Sequence, residues 1–130
     1  MLLLAATVAW TEQRPAIPAG VYLLTTETIL PHLEEALRYS TVKAERCLRD
    51  QPADAFFPLL QQQAFTGCSL VPGQDAHTFV LRCRNPEAAT GLARFEASPT
   101  TFSAVLELKM GGKNMTLLQR VSGPRISACE

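Results

Sequence analysis

Residues 101–121 read TFSAVLELKMGGKNMTLLQRV, and their alternation decides the fold. Phe102, Ala104, Leu106, Leu108 and Met110 recur at every second position, whereas Ser103, Glu107 and Lys109 take the positions between. That period is the period of a strand, whose successive side chains point to opposite faces. Beyond the glycines, Met115, Leu117 and Val121 repeat the pattern, with Gln119 the one polar member. A two-residue turn at Gly111-Gly112 or Gly112-Lys113 joins the two apolar faces. A three-residue turn sets Leu108 against Thr116 and inverts every side chain, so the stretch predicts an antiparallel hairpin with an even turn.

Working back from this hairpin, a tight turn over Ser98-Pro99-Thr100-Thr101 places Phe95 opposite Ala104 and Ala97 opposite Phe102. Large side chains next to small ones recur along this face, as in a sheet curved around its own core or lining a cavity. Turn signals at Val71-Pro72-Gly73-Gln74-Asp75 and Asn85-Pro86 mark off further strands. The expected strands span 66–71, 77–84, 91–97, 101–110 and 114–121, with no gap long enough for a parallel crossover helix. In the N-terminal half, 20–30 reads as a strand rich in β-branched and aromatic residues, and 42–48 as a strand delivering Cys47. Between them, Pro31 to Ser40 carries Pro at a helix start, acids in the first turn and Leu33, Ala36 and Leu37 at helical spacing, which predicts a short helix. Pro58 divides 50–63 into two short helical pieces that turn Phe56 or Phe57 inward. The expectation is a mostly β domain, a curved antiparallel meander or partial barrel with one or two short helices.

Composition narrows the class. The chain has 130 residues, of which 47% are hydrophobic and 18% charged, with 12 basic and 12 acidic side chains. Such a chain buries a core and is not disordered. Zero net charge without a basic stretch predicts no nucleic-acid partner. The opening run MLLLAATVAW is apolar and too short to span a bilayer. It reads as a signal peptide over residues 1–9 that lacks its basic start, with Trp10 opening a single domain over 10–130. Cys47, Cys68, Cys83 and Cys129 fit neither a zinc nor a haem pattern, so an extracytoplasmic disulfide framework is expected, with no metal and no cofactor. Cys68 and Cys83 flank the turn at 71–77 on consecutive strands, which pairs them and leaves Cys47 for Cys129. The other pairings join Cys47 to Cys68 or to Cys83.

A set of short motifs runs through the chain: Pro18, Gly20 and Tyr22, Cys47-Leu48, Cys68, Phe79 to Cys83, Gly91, Phe95, Phe102, Met115-Thr116, and Arg125 to Cys129. In this order the chain resembles the bacterial envelope proteins of domain-of-unknown-function family 3617. The resemblance implies an envelope location (periplasmic or secreted), disulfides and a β-sheet fold. It implies no activity.

Catalysis needs coupled groups, and no coupling is visible. His32 and His77 are not spaced to serve a particular serine or carboxylate, and the adjacent Glu34 and Glu35 point to different sides of a helix. No phosphate loop, dinucleotide fingerprint or nucleophile elbow occurs. The chain therefore reads as non-enzymatic, and two binding hypotheses remain. In the first, it is an accessory subunit that docks on an envelope or membrane-complex partner through Val80, Val105 and Leu118 on the reverse face of the sheet. In the second, the curved sheet holds a small apolar or amphipathic ligand lined by Phe95, Phe102, Leu106, Leu117 and Gln119. Arg82, Arg94 and Arg120 share the reverse face with Glu96 and Glu107, and this predicts a mixed-charge surface.

Overall fold

The period-2 pattern is realised as one open, fully antiparallel sheet. The computed structural model describes residues 14–31, 33–111 and 115–130. Within them lie the strands β1 (Gly20–Ile29), β2 (Tyr39–Leu48), β3 (Cys68–Pro72), β4 (Thr78–Cys83), β5 (Ala89–Ala97), β6 (Thr101–Met110) and β7 (Met115–Ser127). They form a seven-stranded sheet in the order β2-β1-β7-β6-β5-β4-β3. Strands β3 to β7 are the expected meander. The β1–β2 hairpin joins it through β1 and β7, a long-range pairing that leaves β2 and β3 as the two free edges. The sheet does not close into a barrel.

The pairings follow the alternation. Ala104 faces Val121, Leu106 faces Gln119 and Leu108 faces Leu117, as an even turn requires. The turn at 112–114 itself lies outside the described residues, as do the leader at 1–9 and His32. Phe95 faces Ala104 and Ala97 faces Phe102 across the 98–101 turn.

Two local expectations give way to tertiary pairing. The helix expected over 31–40 is a single turn, α1 (Glu35–Arg38), because the chain re-enters the sheet at Tyr39, opposite Ile29. The two helical pieces expected over 50–63 are three 3-10 turns at Ala53–Phe56, Pro58–Gln61 and Gln63–Phe65. Pro58 opens the second, so the missing N–H falls where no intrahelical acceptor exists. These turns cover the inner sheet face. Phe56, Phe57, Leu59, Leu60 and Phe65 are buried there on Tyr22, Leu24, Phe79, Leu81, Phe95, Phe102, Leu106 and Leu108. Phe95 is the hub, with edge-on contacts to Phe56, Phe57 and Phe79 at centroid distances of 5.4, 5.7 and 5.3 Å. Edge-to-face pairs at such distances add to the burial of their area.

Both expected disulfides are present. Cys68 and Cys83 are direct partners on β3 and β4, and Cys47–Cys129 ties the end of β2 to the chain after β7. Where β1 and β7 meet, the register shifts between Val21 and Tyr22. There Gly123 passes so close to the Leu23 carbonyl that a Cβ has no room.

Candidate functional site

Every strand places a residue on one line across the outer face. Cross-strand pairing links Val71, Val80, Leu92, Glu107, Leu118, Ile29 and Tyr39 in sequence, so the line is apolar except for Glu107. The neighbouring line runs Thr78, Arg94, Val105, Arg120, Glu27, Thr41, with Val105 between two arginines. Val80 and Leu92 are 37% and 40% exposed, whereas Val105 and Leu118 are half-buried. Between β5 and β6 the face hollows to about 370 Å³ around Val105, walled by Leu92, Arg94, Glu96, Ser103 and Glu107. The sequence placed Val80, Val105 and Leu118 on a common face, and the structure groups them there. Arg82, Arg94 and Arg120 point to the same side and are exposed. Glu96 and Glu107 also belong to this face, which alternates in charge.

The inner face is a filled core over most of its length and carries a groove at one end. Phe95, Phe102 and Leu106 are almost fully buried, and Leu117 is 9% exposed. They are packed core, because the 3-10 turns fill the space over them, and none of the four borders the groove. Gln119 alone of the five borders a groove, of about 300 Å³, between the 3-10 segment and the β1–β2–β7 end of the sheet. Leu24, Val42, Ala44, Leu48, Phe56 and Val121 form its apolar walls, and Arg46 also borders it. Gln119 is the one buried polar side chain among the described residues, 3% exposed. Its Oε1 accepts from Leu59 N at 3.0 Å and its Nε2 donates to Thr28 Oγ1 at 2.8 Å, so both ends of the amide are held. The groove owes its wall to the inner side of β2, residues Val42, Ala44 and Arg46. Their alternation with Thr41, Lys43 and Glu45 was the available sequence signal.

The motif residues at the two ends of the chain converge on a clasp. Tyr22 Oη donates to Pro18 O at 2.7 Å, and Arg125 Nε donates to Ala19 O at 3.0 Å. Tyr22 and Arg125 face each other across β1 and β7, and a Cβ on Gly20 would meet the Arg125 side chain. Burial pushes the Tyr22 phenol above its usual range, with nearby Arg125 opposing. These residues hold the start of β1 against the end of β7.

Asp75 accepts from His77 N at 2.8 Å, which with Thr78 holds its carboxyl below the usual range and orders the β3–β4 turn. Among the described residues no three His, Cys, Asp or Glu side chains gather as metal ligands, and no helix is long and apolar enough to cross a membrane. Comparison of the chain with protein-family models, curated proteins and solved structures finds no match.

Proposed function

We propose that the chain is a non-catalytic interaction protein of the bacterial envelope. In this reading it is an accessory subunit, periplasmic or secreted, that docks on a larger assembly through the outer face of its sheet, as the resemblance to domain-of-unknown-function family 3617 accords with. The two disulfides support an oxidising, extracytoplasmic compartment. The observation that carries the docking reading is the line from Val71 to Tyr39, apolar but for Glu107, which crosses all seven strands and leaves Val80, Leu92 and Tyr39 exposed. An exposed apolar line rimmed by charges of both signs is the pattern of a protein contact.

Native mass spectrometry of the protein recovered from its own envelope tests the reading, together with a photo-crosslinking side chain at Val80. A stoichiometric protein adduct is expected. It should vanish in Val105→Asp, with the thermal midpoint nearly unchanged. Recovery of the chain alone, or a midpoint that collapses in that variant, overturns the docking surface. The groove beside Gln119 supports a second reading, a carrier of an amphipathic ligand whose apolar part lies on Leu24, Val42 and Val121 with an anionic head at Arg46. A bound lipid in the same spectra, lost in Arg46→Glu, decides for it.

A further inference from the structure

The two edges of the open sheet are treated differently. β3 is five residues long, ends in Pro72 and is locked to β4 by Cys68–Cys83. The N–H of Leu70 is taken by Asp54 Oδ1 at 2.7 Å, so this edge is capped from the side. β2 is ten residues long, and every residue from Tyr39 to Cys47 is exposed on both faces. On its free side, the one bond among the described residues is from Gln51 Nε2 to Cys47 O. Tyr39 and Val42, on opposite faces of this strand, are 62% and 61% exposed. A long open edge of this kind is a template for another strand.

We propose that this edge pairs with β2 of a second copy, antiparallel, about a two-fold axis through Ala44. The sequence of the strand selects both the partner and the register. A two-fold perpendicular to the sheet keeps inner face with inner face, so only residues of the same alternation can pair. Centring the axis on Lys43 sets two lysines opposite each other, and centring it on Glu45 sets two glutamates opposite. Centring on Val42 leaves Lys43 facing Thr41. Centring on Ala44 sets Lys43 against Glu45 of the second copy, and by symmetry does so twice. Opposite charges directly across a strand pair stabilise it, and like charges disfavour it. A lone edge lysine deters indiscriminate pairing. Lysine and glutamate two positions apart on one face convert that deterrent into a lock for one register.

On the inner side, the same register lays the aliphatic stem of Arg46 from one copy over Val42 of the other, which covers that exposed valine. Val42, Ala44 and Arg46 are also the β2 wall of the groove, so the second copy extends the groove wall. The two grooves then form a single trough across a continuous inner face. The inference stands apart from the docking reading, since it concerns the strand edge and needs only this chain.

Sedimentation equilibrium of the oxidised protein from about 1 μM to about 1 mM is the test. A monomer–dimer equilibrium is expected. Lys43→Glu and Glu45→Lys should each weaken it by about tenfold, because each places like charges opposite twice. The double exchange, Lys43→Glu with Glu45→Lys, should restore it. Both positions are exposed, so the variants keep the fold, which the far-ultraviolet circular dichroism will show. A chain that stays monomeric throughout, or a dimer indifferent to both single exchanges, overturns the proposal. A dimer lost instead in Leu118→Asp places the self-contact on the outer face and also overturns the edge. Failure to find an envelope partner leaves these outcomes untouched, so the two readings fail separately.

Discussion

Replacing Gln119 by leucine removes the amide that bridges Leu59 N and Thr28 Oγ1 beneath the 3-10 turns. Gln119 Oε1 is the acceptor for Leu59 N, a buried donor at the start of the second 3-10 turn. Leaving that donor unpaired costs about 1–3 kcal/mol. The half-buried Thr28 hydroxyl loses its donor too but can turn to water in the groove, at about 0.5 kcal/mol. Leucine buries more hydrocarbon than glutamine, which returns about 1 kcal/mol. The net loss is about 0.5–2.5 kcal/mol, or roughly 2–9 °C in the thermal midpoint for a domain of this length. Urea unfolding with the disulfides intact measures it. Gln119→Glu adds a sign. Burial raises the pKa of a carboxyl, so the folded state prefers the neutral acid. Its penalty is absent below about pH 4 and grows with pH until the folded-state group ionises. By pH 8 this penalty is on the order of 3 kcal/mol for a carboxyl buried as deeply as residue 119. The urea midpoints of this variant and the parent should converge near pH 4 and separate by pH 8. Parallel behaviour at both pH values would refute the argument, and would show that groove water solvates residue 119.

Other perturbations have separate readouts. Cys47→Ser with Cys129→Ser opens a loop of separation 82, and Cys68→Ser with Cys83→Ser opens one of 15. Loop entropy gives about 4.5 and about 3 kcal/mol, so calorimetry should find the first pair the more damaging. Tyr22→Phe removes the bond to Pro18 O and should cost about 1 kcal/mol at neutral pH. The raised phenol pKa makes the parent lose stability as pH climbs past about 10. The variant lacks that loss, so alkaline titration of the midpoints should bring the two proteins together. Gly123→Ala forces a methyl onto the Leu23 carbonyl where β1 leaves register and should cost more than 2 kcal/mol, readable by urea midpoint.

What was legible in the sequence was local. Alternation over 101–121 announced β6, β7 and their register, because a slip of one residue moves Leu106 and Leu108 into water. The Cys68–Cys83 bridge was legible because one turn separates its ends. Pairing between β1 and β7 was not, since nothing near residue 25 or 122 encodes a partner some hundred residues away in the chain. The short α1 shows the same limit: a sound helix start at Pro31 lost to the pairing of Tyr39 with Ile29. The open choice between filled core and cavity has a related cause. Phe95 and Phe102 on a curved face line a pocket or fill a core according to what lies above them, and the position of the 3-10 turns follows from tertiary packing.

The Cys47–Cys129 bridge also decides how the molecule bears a mechanical load. Tension applied between residue 19 and the C-terminus runs along the chain only as far as Cys47, crosses the sulfurs and leaves at Cys129. Residues 48–128, with the whole β3–β6 meander, lie in a side loop off the covalent path, and only the β7 ladder against β1 shares the load until it opens. Because the start of β1 lies beside the end of β7, the pull meets the ladder end-on and opens it one rung at a time. The β1–β2 hairpin can then pay out at most roughly 100 Å, at ~3.5 Å per residue, before the covalent link stops it. A tethered copy would thus give up Tyr22 and Leu24 from its core and arrest with the phenylalanine cluster around Phe95 still in the side loop, until a reductant cuts the link.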